Sequence, residues 1–481
     1  MGTHDIGKVF IKGEKIIRVF TAITLAFLHA SHALSSEIPV NTSAYEAAPS
    51  ESTNPDGMKL SFSSTLYGYR SLYQQEFNAH GIGKAQIGAV KGDLEFFGTL
   101  GVQPKGTSGF FDVAEGAVGI APKGAPVSVM FGRHKVTWSE LDQEWATGIW
   151  APRNRWDYLR PIEVGLIGGF VQVKTPLVTT EIFASPIFLP EAGAPSTLSN
   201  GAFTSNNPWF VPPTPFLSFN QQLVPVKYSM DSFNIGELIS KFGVSGRMRV
   251  GRADTGPYLQ LAGGYKPMNQ IMLGYDGLLN LASQEANIKL KPTVGYQRLV
   301  GVDGGLLNWN GISQRFSILS ETAIIPPNSD GYTYSQAQNA MSYSTHTRFS
   351  LSDRNSAFMS VGYLRRVGGN SGDKGKDAIP GESIFEDRYT YSSAFKLAVA
   401  SNLEFMNLAA IYAESDLTYD LVEQQEVFRV KLTYNKPQSN VSLLIGMDLL
   451  GSQLPSSVYN QSWIRSFNYN DRVYGGVSYV F

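Results

Sequence analysis

Segments of about ten residues with side chains alternating between an apolar and a polar face recur along the second half of the chain, and this period of two restricts the fold to sheets. In the run Val441 to Leu449 every odd position is apolar, while Ser442, Gly446 and Asp448 share the other face with Leu444. In the run Val427 to Tyr434, the residues Phe428, Val430, Leu432 and Tyr434 stand opposite Arg429, Lys431 and Thr433. Taken singly, such a strand suits a soluble sandwich, which buries its apolar face, as well as a barrel that turns that face to lipid.

Composition narrows the choice. The chain holds 48 Gly, 23 Tyr and 28 Phe with only 16% charged residues, which suits strands and aromatic girdles better than helices. No run of about 18 apolar residues follows the N-terminal region, so a helical membrane protein is excluded. A net charge of -1 lacks the basic excess that nucleic-acid binding needs. There is no cysteine, which closes disulfide, zinc-thiolate and cysteine-nucleophile chemistry and the lipoprotein route.

At the N-terminus Lys8, Lys12, Lys15 and Arg18 precede the apolar run Val19 to Leu28, and Ser31 and Ala33 supply a small-x-small site. That order predicts a secretory signal peptide over 1–33. Residues 34–58 are polar and lack alternation, so a flexible periplasmic lead is expected there, followed by a single β-domain over 59–481.

The chain ends Tyr474-Gly-Gly-Val-Ser-Tyr-Val-Phe481, with Val473, Gly475, Val477, Tyr479 and Phe481 on one face. A terminal Phe481, an aromatic Tyr479 two residues earlier and Gly476 three before that resemble the closing-strand signal of Gram-negative outer-membrane β-barrels. The resemblance is to porin-like barrels in general. It implies an outer-membrane location, contact with membrane lipid and lipopolysaccharide, and delivery by the barrel-assembly machinery, with these three residues as the assembly signal.

Such barrels alternate short periplasmic turns with longer external loops. Counting back from Phe481, the connections Gly451 to Asn470, Ser415 to Gln425, Val367 to Asp387 and Ile325 to Asn339 are long. Asn435 to Asn440, Ala400 to Asn402 and Ser352 to Ser356 are short. In the first half, strands are expected at 59–74, 83–93, 94–102, 116–120, 126–136, 164–174, 179–188, 244–252, 258–266 and 287–299. The fold expected is all-β, a transmembrane antiparallel β-barrel of about 16 to 18 strands, a size that leaves an aqueous lumen.

If the apolar faces meet lipid, the opposite faces line water. Arg247, Arg249, Arg315, Arg348, Lys396, Arg429 and Lys431 then line the pore, with Glu321, Glu404 and Asp448 against them, a wall of basic balance that favours anions. Between Gly132 and Lys174 alternation is lost. Four of the seven tryptophans lie there, with Arg133, Glu140, Asp142, Glu144, Arg153, Arg155, Asp157 and Arg160 among them. An insertion near 137–163 of this composition after an early strand resembles the constriction loop of porins; the alternative is a solvent-facing loop with tryptophans as interfacial anchors. A second insertion, near 186–225, carries eight prolines, which exclude helix and central strand, and is too aromatic for a free linker. It is expected as an external cap or folded into the mouth, and its rings raise a sugar substrate as an alternative.

An enzyme is not expected. Past the signal only His80, His134 and His346 remain, no metalloprotease pair occurs, and Ser344 and His346 stand two apart on one strand, roughly 7 Å, beyond hydrogen-bond reach. No metal and no cofactor are expected. The function expected is a porin-like outer-membrane channel for passive diffusion of small hydrophilic solutes, anions included. The alternatives are an outer-membrane conduit of a polysaccharide export system and a structural or adhesion barrel with a plugged lumen. Lipid-facing and subunit-facing positions are both apolar, so a homo-oligomer stays open.

Overall fold

The computed structural model describes residues 57–481, apart from 70–72, 105, 214, 253, 281, 283, 325–330, 335–338, 352–356, 370–389, 404–407, 453–466 and 468–469. The expected signal peptide, the lead, the Ser352 to Ser356 turn, Glu404 and most of the Val367 to Asp387 connection lie outside the described residues.

Eighteen strands form one sheet, and its first strand, Gly57–Tyr69, pairs with its last, Arg472–Val480, so the sheet closes on itself. Every pairing in the barrel is antiparallel and, the closing pair apart, joins barrel strands consecutive in sequence, for example Val441–Ser452 with Arg472–Val480. Closure leaves no unpaired edge, which is what a sheet needs where water cannot satisfy its backbone.

Polarity is inverted relative to a soluble domain, and this separates the two readings that alternation alone allowed. Large apolar side chains such as Phe62, Phe111, Phe131, Val300, Phe316 and Ile445 stand exposed on the outer face. Gln74, Glu181, Gln260, Asp303, Glu321 and Asp448 are at most 2% exposed on the inner one, where neighbouring strands supply partners such as Arg247 for Glu181 and Arg472 for Asp448. An outer surface this apolar is stable only against lipid or another apolar surface.

The connections sort by end. At the end holding Phe481, whose N–H donates to the Leu60 carbonyl, the strands are joined by 88–89, 121–126, 175–177, 252–255, 310–311, 351–356, 404–407 and 436–440, all short. The opposite end carries the long connections 135–165, 186–242, 268–295, 325–339, 369–392 and 453–471, with short ones at 70–72, 104–105 and 421–424.

Several sequence expectations are corrected here. The Ser415 to Gln425 connection is not long: the strand Leu408–Asp420 runs through Asp420, and the turn is 421–424. Ala400 to Asn402 lies within Ser393–Leu403, with the turn after it. The expected break at 93–94 falls at 88–89, between Tyr73–Ile87 and Val90–Gln103, where Gly88 has φ 61°. The expected strand 287–299 is two strands, of which only Tyr296–Trp309 belongs to the barrel.

The other, Glu285–Thr293, joins a five-stranded sheet with Phe216–Phe219, Gln222–Met230, Met272–Asn280 and Thr333–Tyr334, built from three long connections of one end. Pro225 therefore does sit in a strand, contrary to expectation. It is tolerated because it lies where pairing with Phe216 ends and parallel pairing with Glu285–Thr293 begins, at Val226. The sheet has its own core of Val224, Val226, Tyr228, Ala286 and Leu290. The Tyr332 hydroxyl donates to Asp231 at 2.6 Å, and this bond holds the Asp231 carboxyl below its ordinary range.

Candidate functional site

Residues 135–165 leave the barrel wall after the strand Val127–His134 and return at Leu166–Lys174, and between these strands they pack inside the lumen. Their apolar side chains, Val136, Trp138, Leu141, Trp145, Ile149 and Trp150, pack on inner-wall residues including Met130, Phe170, Leu299, Leu319 and Leu364. Trp138 and Trp150 stack with centroids 5.6 Å apart. The segment is thus neither solvent-facing nor a set of interfacial anchors.

A short helix, Glu140–Trp145, stands in this segment and ends on Ala146 in the left-handed region (φ 49°). Six residues form no stable helix alone. Here Asp142, 3% exposed, fixes the turn that follows: its carboxylate accepts the Thr147 hydroxyl and the N–H groups of Ile149 (3.1 Å), Trp150 (2.9 Å) and Ala151 (3.2 Å). Three wall side chains and Asn269, from the connection 268–295, hold the segment's backbone. Arg247 donates to the Thr137 carbonyl (2.7 Å), Gln260 to Trp138 (3.1 Å), Asn269 to Gly148 (2.7 Å) and Gln297 to Ile149 (3.1 Å).

The expected site residues on this segment fall into three groups. Glu140 and Glu144 project from the helix toward a basic stretch of wall. Glu140 lies 3.6 Å from Arg249 and 3.3 Å from Arg315, and Glu144 is 3.3 Å from both Lys396 and His346. Arg348 lies over the Phe358 ring at 3.9 Å and has no carboxylate within ion-pair distance among the described residues.

Asp142, Arg153 and Arg155 serve the segment's own shape. Arg153 reaches the Asp142 carbonyl (3.0 Å) and Glu163 (3.3 Å), and Arg155 lies 3.1 Å from Glu191 and donates to the Thr147 carbonyl. Asp157 and Arg160 form the third group, a clamp on the closing strands. Arg160 reaches both Asp448 oxygens at 3.0 Å and the Tyr474 hydroxyl, while Arg472 bridges Asp157 and Asp448 at 2.6 Å each. Arg133 is on the wall itself, paired with Asp112 at 2.6 Å.

The remaining basic residues also stand on the inner face: Arg247 pairs with Glu181, Arg429 with Asp416 and Lys431 with Glu414, each at 2.9 Å. The wall is therefore not basic throughout. Glu181, Glu414 and Asp416 are inner-wall carboxylates beyond those expected from the sequence: Asp416 lies in the expected Ser415 to Gln425 loop, Glu414 just before it, and alternation with the outward Ile182 points to Glu181.

Of residues 186–242, the part around Trp209 folds into the mouth, while Phe216–Phe219 and Gln222–Met230 belong to the separate five-stranded sheet. Trp209, 1% exposed, packs on Leu159, Val427, Leu450 and Phe467, and the Pro208 carbonyl accepts from Asn470 (2.7 Å). Its ring is covered, as are those of Trp138, Trp145 and Trp150, so none of these four offers a free face to a sugar. At the closing strand Tyr479 and Phe481 lie on the outer face, and a Cβ at Gly476 would stand 2.6 Å from the Ser64 carbonyl oxygen.

No protein-family model matches the chain, and no curated protein matches it in sequence. Solved structures with a similar fold include Pseudomonas aeruginosa OccK10 (OpdN), at 11% identity and TM-score 0.47 over 89% of this chain and 99% of that one. The outer membrane protein OpdK of the same organism gives 9% identity and TM-score 0.46 over 88% and 98%. The likeness lies in the architecture alone.

Proposed function

We propose that the chain is an outer-membrane channel for small hydrophilic solutes, narrowed by residues 135–165 and mildly favouring anions. The observation that carries this is the pairing of Glu140 and Glu144 on the inward segment with Arg249, Arg315, Lys396 and His346 on the facing wall. Opposed charges held across a low-dielectric narrowing set up a transverse field that acts on any charged solute passing it. Arg348 on the same stretch adds a cation without a carboxylate at ion-pair distance among the described residues, which gives the stretch its anion preference. The apolar outer face supports lipid as the surrounding medium, and the signal peptide expected from the sequence of residues 1–33 fits export.

Planar-bilayer recording of the purified barrel tests this. The wild type is expected to show a stable conductance with a reversal potential on the anion side in a salt gradient. The double substitution Arg348→Glu and Lys396→Glu should move that potential toward cations. Silence of the wild-type protein in the bilayer would overturn the channel reading, and a potential indifferent to the double substitution would overturn the assignment of this stretch.

A further inference from the structure

We propose that Asp93, Glu115 and His134 form a binding site for a first-row divalent cation such as Zn2+ at the root of the inward segment. The three residues stand on neighbouring strands, Val90–Gln103, Gly106–Ile120 and Val127–His134, and each offers a ligand atom within 4.8 Å of the other two. One imidazole with two carboxylates is a donor set that first-row divalent ions take, with imidazole favouring Zn2+ over Mg2+ or Ca2+.

A second observation points to a ligand. Asp93 is 6% exposed, and its Oδ1 has no hydrogen-bond partner although it is buried. Its other oxygen lies 2.8 Å from the Lys91 ammonium. A buried carboxylate oxygen left without a donor costs free energy that a cation would recover.

The local charges leave room for one. Glu95 lies 2.6 Å from Lys135, Asp93 has Lys91, and Arg133 has Asp112. Glu115 accepts the Lys135 backbone N–H (3.2 Å), but its one ion-pair partner among the described residues is His134, at 2.6 Å.

The backbone is shaped for the cluster. A bulge opposite Glu95 and Phe96 inserts one extra residue in the second strand, so Asp112 pairs across from Phe97 and Glu115 from Glu95, and both turn inward despite opposite parity. Gly132, two residues before His134, has φ 120°, where a Cβ would meet the Gly116 carbonyl oxygen at 2.2 Å.

Isothermal titration of the folded full-length barrel with ZnCl2 tests the site. One ion per chain is expected, with affinity reduced roughly tenfold or more by Asp93→Asn and by His134→Gln. His346→Gln should leave it unchanged. Folding of each variant is checked by the electrophoretic shift between unheated and heated barrel, and Lys91→Met, which frees the second Asp93 oxygen, should bind more tightly than wild type. Absence of Zn2+ binding by the wild type, or an affinity that Asp93→Asn and His134→Gln leave intact, would overturn the proposal.

Discussion

Asp142→Ala is expected to raise the single-channel conductance several-fold while leaving the barrel folded. Among the described residues the carboxylate is the one acceptor for the N–H groups of Ile149, Trp150 and Ala151, all within buried surroundings. Truncation strands three donors, and each buried unsatisfied group costs about 1–3 kcal/mol. The helix Glu140–Trp145 cannot compensate, since six residues have no stability of their own. Asp142 takes no part in the barrel's strand ladders, so the eighteen-stranded sheet should persist. The inward segment would then leave its place, new protease cleavage should appear between 140 and 155, and the pore should widen. Asp142→Asn retains one acceptor oxygen and should fall between the two. A barrel that stays folded, gains the cleavage site and conducts as before would show that this segment is not the constriction.

How far the sequence could have led to this picture differs by region. The barrel was legible because membrane strands obey a period of two over lengths that alternation can reveal, as in Val441–Ser452, where Leu443 and Ile445 face out and Asp448 faces in. Polar strands with a short apolar face were harder. Leu408–Asp420 places Glu414, Asp416 and Thr418 inward, and a run this polar reads as loop until Asp416 is matched with Arg429 across the pair. Only with Glu414 and Asp416 placed inward do Arg429 and Lys431 find their partners, at 2.9 Å each. The candidate loop was legible as a density of charge and tryptophan between Gly132 and Lys174. Its direction was not, because inward and outward folding differ in partners such as Ser317 and Gln260, which are more than 100 residues away in sequence. The external sheet was hidden for a similar reason. Its parallel pairing of Val226 with Ala286 joins two connections that have no local sign of each other.

Arg472→Met should lower the unfolding midpoint of the barrel more than any other single substitution at the seam. Arg472 is fully buried and its guanidinium lies 2.6 Å from both Asp157 and Asp448, so one side chain ties the closing strand, its neighbour and the inward segment together. The loss of one member of such a network leaves the others charged and dry, at a cost of about 3–5 kcal/mol. Arg160 would remain 3.0 Å from Asp448 but is 3.9 Å from Asp157, so it cannot serve both carboxylates equally. Arg472→Lys should recover only part, because an ammonium presents one point of charge where the guanidinium presents a fork. The same guanidinium covers the rings of Tyr67 on the first strand, at 4.7 Å, and Trp209 in the mouth, at 5.2 Å, so its removal also loosens the join between first and last strands. Thermal unfolding followed by the mobility of unheated against heated protein reads the effect directly. If the double substitution Asp157→Asn and Arg472→Met proves more stable than Arg472→Met alone, the carboxylate left without Arg472 is the source of the loss; if Arg472→Met melts with the wild type, the network does not hold the seam.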